Sequence, residues 1–192
     1  NAGNVPAGGG AIRIEASGAV TLDGTITARG GDHDNRSGGG SGGAIYITCD
    51  TFHGSGFVGA DGGTAGSWSG GGGAGGRVAV IYNTTNQAGV TPKPTTRLSA
   101  SHGPRGLYSG SGNGYPGTIY LSDTNFFPTT TVTCGGKVIV PGVSNWTLPA
   151  LTLSNAWFQF ADNTPVSIAG NLTLIGVTSR MDVVGISLAV GG

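Results

Sequence analysis

One pattern recurs along the chain at a nearly fixed distance, and it limits the possible folds more than any other feature. A glycine precedes two aliphatic residues at alternate positions in four segments, namely 10–14, 43–47, 76–80 and 117–121. The offsets between these segments are 33, 33 and 41 residues. A second pattern moves with the first, at offsets of 32 and 40 residues, and its central residues are Ile26, Val58 and Leu98. Two columns that keep the same spacing indicate an internal structural repeat.

The repeated segments have the periodicity of β-strands. Each aliphatic pair, such as Ile12 and Ile14 or Ile45 and Ile47, is separated by one residue, so both members face the same side of a strand. Equivalent strands stacked about 4.8 Å apart would form ladders of aliphatic side chains. One unit cannot bury its own apolar face, so its neighbours must cover it. The repeat therefore predicts stacked parallel strands.

Glycine accounts for 40 of the 192 residues and is concentrated between these strands, in the runs 38–43 and 70–76. Glycine-rich sequence of this density often forms flexible linkers. These runs instead recur at one position of the repeat and directly precede the strands. Two ordered structures remain open: tight corners that stack on one another, and polyproline-II-like backbones packed side by side.

The pattern changes near residue 127, where glycine becomes less frequent and Thr, Val, Leu and aromatic residues dominate. Short strands are predicted at 130–134, 137–140, 151–153, 157–160, 171–174 and 186–190. The offset of 21 residues between Leu151 and Leu172 predicts a shorter coil. We therefore divide the chain into Gly-rich repeats of about 33–41 residues at 1–126 and a shorter-coil continuation at 127–192. No segment has a sustained helical period, so almost no helix is expected.

Charge and hydrophobicity exclude several classes of partner. Nine basic and nine acidic residues give a net charge of zero, without the basic patch that nucleic acid requires. The longest apolar run, 78–82, is far shorter than the ~20 residues of a membrane span. We therefore expect neither nucleic-acid binding nor membrane insertion. The chain begins without Met or a leader-like segment, and we interpret it as a mature or excised piece of a longer protein.

The pattern Gly-Gly-Ala-Ile-x-Ile followed by Gly-x-Val-x-Ala-x-Gly-Gly resembles glycine-rich parallel β-helix segments of very large secreted bacterial surface proteins. It is also similar to the pectin-lyase-type right-handed β-helix. The resemblance covers roughly residues 8–122 and implies an all-β, right-handed parallel β-solenoid with Gly-rich turns. Enzymes of this class carry clustered Asp ligands with a partnering Arg, and this sequence has no matching set.

Few side chains could support chemistry. Asp32 and Asp34, in the cluster Asp32-His33-Asp34-Asn35, could bind a divalent cation such as Ca²⁺, whereas the alternative is a solvated loop. No cofactor is otherwise expected. The pairs Asp50/His53 and His102/Arg105 are isolated on predicted turns and indicate no acid–base site.

Two cysteines and four glycosylation sequons are relevant to whether the protein is extracellular. Cys49 and Cys134 could form a disulfide between the two parts of the chain, or could be two buried thiols. Asn-x-Ser/Thr sequons, which hint at an extracellular chain, begin at Asn35, Asn83, Asn145 and Asn171.

Three aromatic residues are candidates for contact with a glycan or a protein partner. Tyr46 and Tyr120 lie in an outward column of the predicted strands, and Trp68 lies within a glycine stretch. Aromatic rings on a flat strand face can stack on sugars or anchor a protein surface. The alternative is that they cover the glycine loops locally.

We therefore expect a non-catalytic structural or adhesive module of an extracellular surface protein or filament. Its partners would be copies of itself or flanking repeats of the same chain, because an uncapped solenoid exposes strand edges. A binding module for glycans and a polysaccharide lyase or hydrolase on the same scaffold are the alternatives.

Overall fold

The computed structural model describes residues 6–33, 37–66, 70–107, 110–128, 131–140, 145–154, 157–160, 165–176, 179–182 and 188–190. Trp68, Asp34 and Asn35, which the sequence singled out, lie outside the described residues. The described chain is mostly β-structure. Its helical elements are the five-residue helix α1 (Thr84–Ala88) and one 3-10 turn (Thr124–Phe126).

The strands are short, as the alternating segments of the sequence predict. In chain order they are β1 (Ala11–Glu15), β2 (Val20–Thr21), β3 (Thr25–Thr27), β4 (Ala44–Cys49), β5 (Phe52–His53), β6 (Phe57–Gly59), β7 (Arg77–Tyr82), β8 (Arg97–Ser99), β9 (Thr118–Leu121), β10 (Thr131–Gly135), β11 (Lys137–Val140), β12 (Trp146–Leu148), β13 (Leu151–Ser154), β14 (Trp157–Phe160), β15 (Val166–Ile168), β16 (Leu172–Ile175), β17 (Arg180–Asp182) and β18 (Leu188–Val190).

Every strand pairing between described residues is parallel. One sheet has the order β1-β4-β7-β9-β11-β14-β17, and a second has the order β3-β6-β8-β10-β13-β16. Two smaller sheets have the orders β2-β5 and β12-β15-β18. The chain thus returns repeatedly to each sheet and adds one strand beside the previous one.

The strand registers pair the residues that the two sequence patterns align. Ile12 is paired with Ile45, Ile45 with Val78 and Val78 with Ile119. In the second sheet Val58 lies between Ile26 and Leu98, which are the central residues of the second pattern. The 21-residue spacing also holds, since Leu151 is paired with Leu172.

The aliphatic ladders form one core that spans both parts of the chain. Ile45, Val78 and Ile119 in the first sheet and Val58 and Leu98 in the second are at most 1% exposed. The same buried cluster continues through Val138, Leu151 and Ile168. The predicted boundary between 126 and 127 falls between two aromatic rings of this core, Phe126 and Phe127, which pack edge to face with their centroids 5.7 Å apart.

The glycine runs form a layer of their own beside the strands. Backbone hydrogen bonds link Gly40 N to Gly31 O (2.9 Å), Gly63 N to Gly40 O (2.8 Å), Gly73 N to Gly63 O (3.0 Å) and Gly103 N to Gly73 O (2.8 Å). We call the extended segments that make these bonds the glycine bundle; they are 6–10, 28–33, 38–43, 60–66, 70–76, 100–106 and 112–117. Each interior segment hydrogen-bonds to the equivalent segment of the neighbouring repeat. It also hydrogen-bonds to the other glycine-rich segment of its own repeat.

The structure distinguishes between the two ordered arrangements that the glycines allowed. Described glycines with a positive φ are Gly54, Gly136 and Gly176, and none of them lies in the glycine bundle. Exposed positions of two bundle segments are three residues apart, at 38 and 41 and again at 71 and 74, and the exposed first residues of β4 and β7, at 44 and 77, continue this period. A three-residue period is that of polyproline II. The runs are therefore side-by-side extended backbones rather than tight corners.

Candidate functional site

The outward face of the seven-stranded sheet carries two rows of exposed or half-buried side chains. The register aligns Ala11, Ala44, Arg77 and Thr118, which are the first residues of β1, β4, β7 and β9. Because successive side chains alternate between the two faces of a strand, these residues point away from the buried ladder. Two positions later, a second outward row consists of Arg13, Tyr46, Ala79 and Tyr120.

A groove of about 540 Å³ follows the first row where the glycine bundle meets the strands. It crosses four successive strands and is lined largely by backbone, because its walls contain Gly9, Gly10, Gly42, Gly43, Gly75, Gly76 and Gly117. The remaining lining residues are Ala11, Ala44, Arg77, Pro116 and Thr118. Arg77 is the one charged residue among them. Most amides of the lining residues are already bonded to carbonyls of neighbouring segments, so the groove offers a surface with few side chains and a cation at β7.

Tyrosines flank the groove on two sides. Tyr46 is 41% exposed and Tyr120 is 39% exposed, and Ala79 lies between them in the same row. Two strand spacings place these tyrosines about 9.6 Å apart along the row. Tyr115, next to Pro116 of the groove, is 84% exposed. The two tyrosines predicted as partner contacts therefore share one face.

The ring of Tyr46 is held by a cation on the preceding strand. The guanidinium carbon of Arg13 lies 5.8 Å from the ring centroid, within the range of a cation–π contact. Arg13 also donates to Glu15 Oε1 at 2.7 Å. This ion pair is exposed and contributes little to stability.

Asp32, predicted as a cation ligand, is already engaged by protein donors. Arg29 Nη1 donates to Asp32 Oδ2 at 2.7 Å, and the amide of Thr64 donates to Oδ1 at 2.6 Å. The bond from Arg29, followed by that from Thr64, lowers the pKa of Asp32 to about 2. Asp32 therefore links the glycine bundle to the next repeat through Thr64. The described residues contain no cluster of three or more His, Cys, Asp or Glu that could hold a metal ion.

In the two predicted pairs, Asp50/His53 and His102/Arg105, the acid and both histidines contact partners outside their own pair. Asp50 Oδ1 accepts a bond from Asn86 Nδ2 at 2.8 Å, whereas His53 lies 2.9 Å from the hydroxyl of Thr51. His102 Nδ1 lies 3.1 Å from the carbonyl of the next residue, Gly103. Each group therefore has a local structural contact.

Cys49 and Cys134 are both buried free thiols, so the disulfide that the sequence allowed is not formed in this structure. Cys49 ends β4 in the seven-stranded sheet, whereas Cys134 is paired with Leu98 in the second sheet. Burial raises the pKa of Cys49 to about 11 and that of Cys134 to about 12. Both cysteines thus act as small apolar side chains, which was the other alternative.

Three of the four sequon asparagines are described, and all three are exposed. Asn83 is the N-cap of α1, where its side-chain oxygen accepts bonds from the amides of Thr85 and Asn86 at 3.1 and 3.2 Å. Asn145 and Asn171 precede β12 and β16. Glycosylation at these positions stays a prediction.

Sequence reasoning missed a buried glutamine that completes a sheet edge. Gln87 is fully buried, and its Oε1 accepts from the amide of Phe52 at 2.8 Å. Its Nε2 donates to the carbonyl of Phe52 at 3.1 Å. The side-chain amide therefore takes the place of a third strand beside β2 and β5. No local signal marks Gln87, because its partner lies 35 residues away.

An aromatic cluster at the change of coil length was also missed. The rings of Phe52 and Tyr82 both pack on Phe126, which packs on Phe127, and Phe127 in turn contacts Trp146, with centroid separations of 5.4–6.5 Å. The Tyr82 hydroxyl lies 2.8 Å from both the carbonyl and Oδ1 of Asp123. Burial, followed by this carboxylate, raises the pKa of Tyr82 well above its usual range. The cluster stabilises the core where the helical segment interrupts the strand pattern.

Comparison of the chain with protein-family models, with curated proteins and with solved structures gives no match. Among the described residues, no helix has the length and apolar character needed to cross a membrane.

Proposed function

We propose that the chain is a right-handed parallel β-solenoid that serves as a non-catalytic structural and adhesive module of an extracellular surface protein or filament. The observation that carries the proposal is the strand order, in which each turn of the chain adds one strand to each of two parallel sheets. A chain that winds around a common axis produces this order. The right hand follows from the strong preference of parallel β-crossovers for that hand.

The distribution of chemistry favours a structural role. The ladders bury aliphatic side chains, and the glycine bundle is held by backbone bonds, so most residues of the repeat serve the architecture. The side chains considered for acid–base chemistry are dispersed, and each bonds to a local partner. A hydrolytic or eliminative reaction needs groups that converge on one substrate.

The first coil supports self-association. Strands β1, β2 and β3 each stand at the end of their sheet. Ile12 and Ile14 are half-buried, whereas their register partners Ile45 and Ile47 are at most 1% exposed. An open strand edge above a partly exposed apolar ladder is a template for another strand. The partner proposed for this end is a second copy of the chain or a flanking coil of the same repeat.

Sedimentation tests this assembly. We expect the wild-type chain to associate with increasing concentration, and Ile14→Lys to abolish the association by placing a charge in the open ladder. Thr48→Lys is the matched control, because Thr48 is half-exposed on the outward face of β4. A wild-type chain that stays monomeric at high concentration would refute the proposed assembly, as would association that survives Ile14→Lys.

Glycan binding is the second candidate function, since Tyr46 and Tyr120 border a groove on one face. A depolymerisation screen with calcium and acidic polysaccharides tests the enzymatic alternative. We expect no turnover. Activity that disappears in Asp32→Asn would replace the structural proposal with a catalytic one.

A further inference from the structure

Partly exposed apolar side chains pack against the hydrophobic core at both ends of the stacked strands. We define the first coil as residues 11–27, with β1, β2 and β3, and the last coil as the described residues of 172–190, with β16, β17 and β18. In the first coil these side chains are Ile12, Ile14, Ala16, Val20, Leu22 and Ile26. In the last coil they are Leu172 and Met181, while Leu174 and Val190 are 46% and 47% exposed. Each end therefore presents an apolar cross-section.

The two ends expose matching sets of strand edges. β1 and β17 are the two end strands of the seven-stranded sheet, and β3 and β16 are the two end strands of the six-stranded sheet. β18 ends the three-stranded sheet and follows β17 in the chain, as β2 follows β1. In the proposed solenoid each end therefore has three edge strands, one on each side.

The ladder of the first sheet shows how the two ends fit together. Ile12 begins an inward row that the register carries through Ile119 and Val138 to Met181. If the first coil of a second copy stacks on the last coil, its Ile12 follows Met181 and continues this row. The apolar side chains of both coils then leave water, which favours the contact.

Strand direction selects this head-to-tail contact over contact between two first coils. Every pairing between described residues is parallel, and a copy stacked head to tail keeps the same strand direction on all three sides. Turning one copy over, so that two first coils meet, reverses its strands and the order of its sides. If β1 then faces β1 of the partner, the two-residue strand β2 faces the three-residue strand β3. Only the head-to-tail contact matches every edge.

We infer that the last coil of one copy binds the first coil of a second copy, so that the strand ladders continue from chain to chain. The inference rests on the proposed solenoid and its self-association, and it names the surface that the first coil binds. Such a contact is heterologous and leaves one free end of each kind, so it does not close at the dimer. The product is a filament with a direction, and its outward sheet faces stay free along its length.

Sedimentation velocity with two variants of the full chain tests the inference. Ile14→Lys blocks the first coil, and Leu174→Lys blocks the last coil, because Leu174 lies beside the buried Leu153 in the inward ladder. Each variant alone should stay monomeric at about ten-fold the concentration at which the wild type associates, since contact would bury an unpaired charge. An equimolar mixture should form a dimer and stop there, because it contains one intact face of each kind. The wild type should grow beyond the dimer.

Thr173→Lys is the matched control, because Thr173 is exposed and is the neighbour of Leu174 on the opposite face of β16. It should associate like the wild type. Circular dichroism checks that each variant is folded, and Val190→Lys on β18 replaces Leu174→Lys if that variant unfolds.

Several results would overturn the head-to-tail contact and leave self-association intact. They are dimers of Leu174→Lys alone, a mixture of the two variants that stays monomeric, equal losses in Thr173→Lys and Leu174→Lys, and wild-type association that stops at the dimer. A wild-type chain that stays monomeric would instead refute the proposed assembly itself.

Discussion

Gly73 tests whether the glycine bundle depends on the absence of side chains. This residue is buried, and its amide donates to Gly63 O at 3.0 Å while its carbonyl accepts from Gly103 N at 2.8 Å. A Cβ added at Gly73 would collide with the backbone carbonyl of Gly40 and would lie 2.9 Å from the amide nitrogen of Gly63. Neither group is the end of a flexible side chain, so Gly73→Ala must displace backbone.

The cost follows from the hydrogen bonds that such a displacement breaks. A buried donor or acceptor left unpaired costs about 1–3 kcal/mol, so losing both bonds of Gly73 costs about 2–6 kcal/mol. A domain of this size shifts its melting temperature by roughly 2–4 °C for each kcal/mol, which gives an expected decrease of about 4–24 °C. This loss is a large fraction of a typical stability of about 5–15 kcal/mol.

Gly71 provides the matched control within the same run. It is exposed, and a Cβ there would meet only the carbonyl of Gly112, at an ordinary 3.5 Å. Since alanine also restricts the unfolded chain, Gly71→Ala should be neutral or stabilising by about 0.4–1 kcal/mol.

Urea unfolding followed by circular dichroism measures both variants against the wild type. Equal stabilities for Gly73→Ala and Gly71→Ala would refute the close-packed interpretation of the bundle. A destabilised Gly71→Ala with an unchanged Gly73→Ala would refute it equally.

Three further predictions concern single side chains. Gln87→Met should lower the free energy of unfolding by about 2–6 kcal/mol, because it leaves a buried amide and a buried carbonyl unpaired; urea unfolding measures this. The contacts that lower the pKa of Asp32 stabilise the folded chain at pH values above the unfolded pKa of about 3.9. This contribution is lost as the pH falls through the folded pKa of about 2. Because the ion pair is exposed, it should be worth less than about 1 kcal/mol, and Arg29→Gln should raise the carboxyl pKa observed by NMR. Cys49 and Cys134, with pKa values raised by burial, should resist a thiol reagent at neutral pH and react after unfolding.

A specific experimental result would contradict each of these three predictions. A Gln87→Met variant as stable as the wild type would show that the side-chain amide does not complete the sheet edge. An Asp32 carboxyl that titrates at its ordinary pKa would contradict the ion pair with Arg29. Prompt modification of both cysteines in the folded chain would contradict their burial.

The repeated strand pattern was predictable because it depends on the order of neighbouring residues along the chain. Alternating Ile, Val and Leu can bury one face only as strands, and the 33-residue offset of Ile12 and Ile45 is also their register in the sheet. The outward position of Tyr46 and Tyr120 follows from the same alternation, so part of the candidate site was predictable as well.

The groove depended on tertiary structure. Its lining residues run from Gly9 to Thr118 and come together only because β1, β4, β7 and β9 pair in register. Asp32 resembled a cation ligand because its sequence neighbours are polar, whereas its actual partners are Arg29 and the amide of Thr64 in the next repeat.

The sequence by itself determined the strands, their stacking period and the near absence of helix, because hydrophobic alternation and repeat length act along the chain. Only the tertiary structure decided how the glycines are used. Both corners and extended segments were compatible with glycine, and the choice depends on backbones from separate repeats, such as Gly40 and Gly73, lying too close for any side chain. Contacts between distant segments also decided the role of Gln87. Its side-chain amide bonds the backbone of Phe52 at the edge of β5, where a further strand would otherwise pair.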